Sequence, residues 1–104
     1  MDHSVSVTAS DVIATLRAHQ QRLEQAGIAR LSLFGSFARN EAGPESDIDL
    51  AAELDPDAKV SLLDLVRIER ELGQLLGREV QILPEPITRE RLRHNVDRDR
   101  MRAF

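Results

Sequence analysis

The chain has 104 residues, 41% of them hydrophobic and 31% charged, with a formal net charge of −4. This balance describes one folded globular domain and argues against a disordered or low-complexity chain. There are no Cys, Trp or Tyr residues and three Phe, so the core must be aliphatic, and disulfides, thiolate-bound zinc and iron–sulfur clusters are excluded.

Apolar runs fall far short of the roughly 20 residues that cross a bilayer, and Met1-Asp2-His3-Ser4 lacks a signal peptide's basic and apolar regions. A cytoplasmic protein with no membrane association is expected. Residues 87–104 carry six Arg against Glu90, Asp97 and Asp99, a local charge of +3 that leaves −7 for the rest. An acidic body is a poor phosphate-backbone binder, so no direct nucleic-acid contact is expected, and the basic tail reads as a solvated helix end.

Thr8 and Ser10 are candidate N-caps for a helix running to about Gln25, with Gly27 as its stop. Val12, Ile13, Leu16, Leu23 and Ala26 give it a patchy apolar stripe that suits packing on a sheet. Ala29 to Phe34 alternates with period two and reads as a strand. Gly35-Ser36 breaks it, and Ser36 to Arg39 reads as the first turn of a short helix. Asn40 to Asp47 is loop, and Ile48 to Leu54 is the second strand, turned by Asp55-Pro56-Asp57. Ser61 with Asp64 resembles a capping box. It opens an amphipathic helix carrying Leu62, Leu65, Val66, Ile68, Leu72, Leu75 and Leu76 and ending at Gly77. Glu79 to Leu83 is a third strand, ended by Pro84 and Pro86, and Thr88 is placed to cap a last helix carrying Leu92 and Val96. The order α-β-α-β-α-β-α implies a small α/β domain with helices covering a short sheet.

Two features carry chemistry. Gly35-Ser36 is a tight turn between a strand and a helix: Gly35 permits close approach, and Ser36 sits where free amides and the helix dipole favour an anion. Asp47-Ile48-Asp49 opens the second strand, and residues two apart on a strand share a face with roots ~7 Å apart. Two such carboxylates suit a hard divalent ion, Mg²⁺ or Mn²⁺ rather than zinc. The glycine-serine turn leaves one strand and the acid pair opens the next, so both can reach the same end of neighbouring strands. A phosphate cradle beside a two-carboxylate metal site is what nucleotidyl transfer requires. Arg39, three residues past Ser36, either reaches a triphosphate or pairs with Glu41 or Glu45. His3, His19 and His94 are scattered without metal-ligand spacing.

Leu33-Phe34-Gly35-Ser36-Phe37-Ala38-Arg39, followed by Glu45-Ser46-Asp47-Ile48-Asp49-Leu50, resembles the signature of the polymerase-β-like nucleotidyltransferase superfamily. The likeness extends through Ser61-Leu62-Leu63-Asp64-Leu65 and Leu76-Gly77-Arg78-Glu79-Val80, covering about residues 28–104. It is greatest for the minimal bacterial branch, found as antitoxins paired with HEPN-domain RNase toxins. The resemblance implies a mixed sheet with flanking helices and a nucleoside triphosphate, ATP, bound with Mg²⁺. It implies Asp47 and Asp49 as metal ligands and Gly35 and Ser36 as the phosphate contacts. It also implies transfer of AMP to a hydroxyl of the toxin partner.

One position departs from that pattern. The resemblance places a third carboxylate on the third strand, where Val80-Gln81-Ile82 puts Gln81. A glutamine cannot be a base at any pH and is a weaker ligand than a carboxylate. Glu79 and Glu53 are the acids that can stand in for it. The sequence therefore supports a Mg²⁺-dependent nucleotidyltransferase, with an antitoxin acting by occlusion over a vestigial nucleotide site as the alternative. An aminoglycoside-type transferase or a nucleic-acid polymerase would need a second domain to complete its acceptor site. Surplus apolar surface on the Leu-rich helix is available to a partner or a second copy of the chain.

Overall fold

A computed structural model describes residues 7–104; the start of the chain, including His3, lies outside the described residues. Helices α1 (Ala9–Ala18) and α2 (Gln20–Gln25) lead into β1 (Ile28–Phe34) and β2 (Ile48–Leu54). Then follow α3 (Leu62–Leu76), β3 (Val80–Glu85), α4 (Glu90–Asp99) and β4 (Met101–Arg102). The sheet is mixed, as expected, with order β3-β2-β1-β4: β1 runs antiparallel to both neighbours, and β2 and β3 are parallel.

The first helix begins where expected. The Thr8 hydroxyl accepts from the Asp11 amide, and the Asp11 carboxylate accepts from the Thr8 amide, a reciprocal capping box. It does not continue unbroken to Gln25: His19 leaves helical geometry at φ −107° and ψ 14°, and its ring Nδ1 lies 2.9 Å from the Thr15 carbonyl, which the His19 amide also bonds. Val12, Ile13, Leu16 and Leu23 are buried, whereas Ala26 falls past the helix end and is exposed. The Leu-rich helix matches its expected bounds, with Ser61 and Asp64 forming a second capping box and Gly77 closing it in the left-handed region at φ 67°. Leu65, Ile68, Leu72 and Leu76 face inward, while Leu62, Leu63, Val66 and Leu75 remain exposed.

Strand alternation sorts the core into two faces. Leu31 and Leu33 of β1, Ile48, Leu50 and Ala52 of β2, and Val80 and Ile82 of β3 pack against α1, α2 and α3 in one large cluster. On the opposite face Phe34 and Ala51 meet Ile87 and Val96, with Leu83 and Leu92 alongside. The period-two pattern of β1 is thus not a half-solvated strand. From Leu31 to Phe34 every residue is buried, because β1 is central and covered on both sides.

Three expectations at the C-terminal end are corrected. Strand β3 runs through Pro84 to Glu85, since it is an edge strand and a proline facing away from the ladder removes no sheet hydrogen bond. Helix α4 starts after Arg89, not on a Thr88 cap, and has no side-chain cap bond. The tail is not a free basic helix end: it turns into β4, with Ser32↔Arg102 and Leu33↔Met101 in register, and Arg17 Nε donates to the Ala103 carbonyl at 2.8 Å. No helix among the described residues is long and apolar enough to cross a membrane.

The free edge of β3 is blunted from above by α3. The partly buried Glu69 carboxylate accepts from the Ile82 amide at 2.7 Å, occupying a donor that an edge strand otherwise presents to other chains. Glu69→Ala is expected to lower unfolding free energy by about 2 kcal/mol, a charge-assisted bond lost with its amide left wanting. Urea denaturation with an unchanged m-value checks it, and a loss under 0.5 kcal/mol would show that water replaces the carboxylate freely.

Candidate functional site

Asp47 immediately precedes β2 and Asp49 is its second residue, so Ile48 between them points into the large core while both carboxylates lie on the α4 side of the sheet. In the ladder Asp49 has Phe34 of β1 on one side and Gln81 of β3 on the other. The three strands thereby bring the end of β1, the start of β2 and Gln81 into one place.

Gly35 lies at φ 79°, and a Cβ built on it would come 2.5 Å from Asp49 Oδ2 and 3.4 Å from Asp49 Cβ. Only a residue without a side chain lets the backbone leaving β1 lie against that carboxylate. The expected short helix after Gly35 is not formed. Arg39 donates its amide to the Gly35 carbonyl at 3.1 Å and Glu41 to the Ser36 carbonyl at 2.8 Å, but Asn40 enters the left-handed region at φ 60° and stops the helix after one turn. A single turn carries little macrodipole. What it retains is its first amides, which have no partner within the turn itself.

The loop bearing Asp47 is held by a residue whose role had no local signal. Gly43 and Ser46 close a tight turn around Pro44, Gly43 amide to Ser46 Oγ at 2.8 Å and Ser46 amide to Gly43 carbonyl at 3.2 Å. Arg78 then clasps it: its Nη1 donates to the Gly43 carbonyl at 2.9 Å and the Ser46 carbonyl at 3.1 Å. Its guanidinium carbon lies 5.3 Å from the centre of the Phe37 ring. Arg78 follows Gly77 in the motif quoted above, yet nothing in that run tells where its side chain goes.

Electrostatics distinguish the two aspartates. Burial pushes the Asp49 carboxyl above the ordinary value, the Asp47 charge pushes it further, and the positive charge of Arg39 partly offsets both. Gln81 Nε2 sits 3.5 Å from Asp47 Oδ2, a long contact that points an amide at the pair where a carboxylate would add repulsion. Among the described residues no group of three or more His, Asp or Glu converges as a metal cluster. Glu53 pairs with Arg30 at 3.6 Å, four residues along β2 from Asp49 and so ~13 Å away along the strand. Glu79 lies before β3 and lines a groove with Val66, Glu69, Arg70 and Gly73. Neither stands in for the missing acid.

Mg²⁺ commonly takes one or two protein carboxylates and completes its shell with water and substrate phosphates. Asp47 and Asp49 match that donor set, and a cation would favour the ionised form of the Asp49 carboxyl, which burial first and the Asp47 charge second disfavour. Arg39 pairs with Glu41 at 3.3 Å, as the sequence allowed, and also with Asp99 of α4 at 2.7 Å.

With the geometry in place, the likeness to known proteins is specific. The chain belongs to the nucleotidyltransferase domain family, whose pattern matches residues 15–103. A Methanocaldococcus jannaschii protein assigned provisionally as a protein adenylyltransferase is 44% identical over 70 residues, 64% of this chain and 73% of its own. A solved structure assigned provisionally as a minimal nucleotidyltransferase superposes with TM-score 0.76 at 32% identity, over 94% of this chain and 98% of its own. More distantly, at 15% identity and TM-score 0.63, the fold matches a chain in the complex of a tri-AMPylated Shewanella oneidensis HEPN toxin with an MNT antitoxin. That match covers 88% of this chain and 71% of the other. The chain is a minimal nucleotidyltransferase by sequence and fold.

Two stability measurements check this site. Removing Arg78 by Arg78→Ala is expected to lower unfolding free energy by about 2 kcal/mol, from two charge-assisted bonds and a ring contact. Hydrogen exchange should rise at residues 43–47; unchanged protection there would show the loop holds itself. Asp49→Asn is expected to raise metal-free thermal stability at pH 7, because burial and the Asp47 charge both disfavour an ionised carboxyl there. The folded value is raised, so native protein binds the extra proton between the unfolded and folded values, and the gap between wild type and variant should close as pH falls to the ordinary carboxylate value. A variant less stable at pH 7 would contradict the sign.

Proposed function

We propose that this chain is a Mg²⁺-dependent nucleotidyltransferase that moves AMP from ATP to a hydroxyl of a partner protein, in the cytoplasm. The observation that carries this reading is the packing of the side-chain-free Gly35 backbone against the Asp49 carboxylate, beside Asp47, at the joined ends of β1 and β2. A triphosphate lying along the Gly35-Ser36 turn would present its α-phosphorus to the carboxylate pair.

In the transfer, the acceptor oxygen forms a bond to the α-phosphorus, the bond to the bridging oxygen breaks, and pyrophosphate leaves with the acceptor's proton passing to a base or to water. Bound Mg²⁺ would supply charge neutralisation of the phosphates and of the departing pyrophosphate. Asp47 and Asp49 would hold it. The backbone at Gly35 and the amide and hydroxyl of Ser36 would hold the β- and γ-phosphates, and Arg39 would reach the same oxygens from the end of the turn. Gln81 cannot take the acceptor's proton. Its amide steadies Asp47 instead, so transfer through this site is expected to be slow.

The relatives support the acceptor class. Protein adenylyltransferase is the assignment of the Methanocaldococcus jannaschii relative, and a tri-AMPylated HEPN toxin is the partner in the Shewanella oneidensis complex. A HEPN-domain RNase toxin is therefore the partner proposed here, and the exposed Leu62, Leu63 and Val66 on α3 offer apolar surface for it. Gln81 favours a second reading, an antitoxin that blocks its toxin by occlusion with the nucleotide site unused.

Incubation with labelled ATP, Mg²⁺ and the proposed HEPN-domain toxin partner separates the two. The first reading expects label on the toxin, reduced about 100-fold or more by Asp47→Asn or Asp49→Asn. Toxin inhibited without ATP, and inhibited equally by the double variant, would establish occlusion and remove the transfer mechanism.

A further inference from the structure

Arg39 leaves the single turn after β1 with its side chain 37% exposed, and what fixes it lies sixty residues away in sequence. Its Nη1 donates to Asp99 Oδ2 at 2.7 Å, while Arg98 Nε donates to Asp99 Oδ1 at 2.9 Å. The Asp99 side chain is only 3% exposed. Asp99 is also the last residue of α4, where the carbonyl end of a helix disfavours negative charge. A nearly buried acid in that position is tolerated only because two guanidiniums neutralise it. They hold its carboxyl below the ordinary range, Arg98 first and Arg39 after it, against the opposing effect of burial.

The end of α4 does not need this pair for its own docking. Arg100 grips Glu85 at 2.5 and 3.2 Å and the buried Ser32 hydroxyl at 3.1 Å, Val96 is fully buried, and β4 adds to the edge of β1. What the Asp99 carboxylate determines is the placement of Arg39. Glu41 takes the Arg39 Nε from the solvent side at 3.3 Å. With Nε and one Nη1 hydrogen engaged, the remaining hydrogens of the fork stay available, and its charge reaches Asp49.

We propose that Asp99 is a positioning residue for the nucleotide site, reaching across from α4 to fix the Arg39 guanidinium at the end of the turn that follows Gly35 so that its free donors meet triphosphate oxygens. This rests on the reading of Arg39 as a phosphate contact given above. A distant helix end would thereby be part of the phosphate-binding apparatus.

Calorimetric titration with Mg²⁺ and a nonhydrolysable ATP analogue, and separately with AMP, tests it. Asp99→Asn is expected to weaken the analogue about tenfold, the loss of one charge-assisted contact, while leaving AMP binding unchanged. Asp99→Glu, which keeps the charge but moves the fork, should fall between, about threefold weaker. Arg98→Ala, which leaves the Arg39–Asp99 pair in place, should bind as wild type. In the double variant Arg39→Ala with Asp99→Asn, affinity should equal that of Arg39→Ala alone, since both act through one contact.

Asp99→Asn binding as wild type would overturn the proposal, as would additive losses in the double variant, or analogue and AMP weakened in parallel, the mark of a merely structural role. Should Asp99→Asn not fold, Asp99→Glu carries the same test, and unchanged affinity there is equally fatal. Wild-type protein that does not bind the analogue at all would remove the nucleotide reading itself, whereas binding indifferent to Asp99 removes only this inference.

Discussion

The contact between the Gly35 backbone and the Asp49 carboxylate is the constraint on which the rest of the site depends. With a hypothetical Cβ only 2.5 Å from Oδ2, any other residue at position 35 must displace either the carboxylate or the end of β1. The sheet fixes the backbone of both: Phe34 and Asp49 are ladder partners, and Ile48 and Leu50 on either side of Asp49 are fully buried. The large core therefore sets where Asp49 sits in the strand, and the glycine lets the turn close onto its side chain. A carboxyl raised by burial beside a second negative charge is unfavourable in isolation. The proposed cation and anionic ligand would together offset that cost.

Support for this contact comes from parts of the chain far apart in sequence. Arg78, just beyond α3, holds the loop that delivers Asp47. Arg100 ties the end of α4 to β3 and to β1 through Glu85 and Ser32. The arginines of the basic tail stay exposed, as read, and two of the six enter ion pairs. Its Arg98 and Arg100 face Asp97, Asp99 and Glu85, of which only Glu85 lies outside the +3 count for residues 87–104.

Local signals made much of the fold legible. Caps at Thr8 and Ser61, the stop at Gly77 and the apolar period of α3 each depend on residues within one or two turns, and each lies where it was read. Asp47, Asp49 and Gly35 are brought together as their spacing suggested, because a strand end and the next strand's start must meet in an antiparallel pair. What the sequence did not reveal depends on distant partners. His19 departs from helical geometry between α1 and α2, Pro84 is accepted because β3 is an edge, and β4 is two residues long and has no period to read. Asp99 belongs with these: in sequence it is one acid among six arginines, and only the fold sets it against Arg39.

A crystal structure of the chain with magnesium and a nonhydrolysable ATP analogue tests the central claim most directly. The account predicts that magnesium would be held by Asp47 and Asp49 with the nucleotide's phosphates beside it, the β- and γ-phosphates at Gly35 and Ser36. Well-ordered carboxylates without metal, and no nucleotide beside them at saturating concentration, would contradict it.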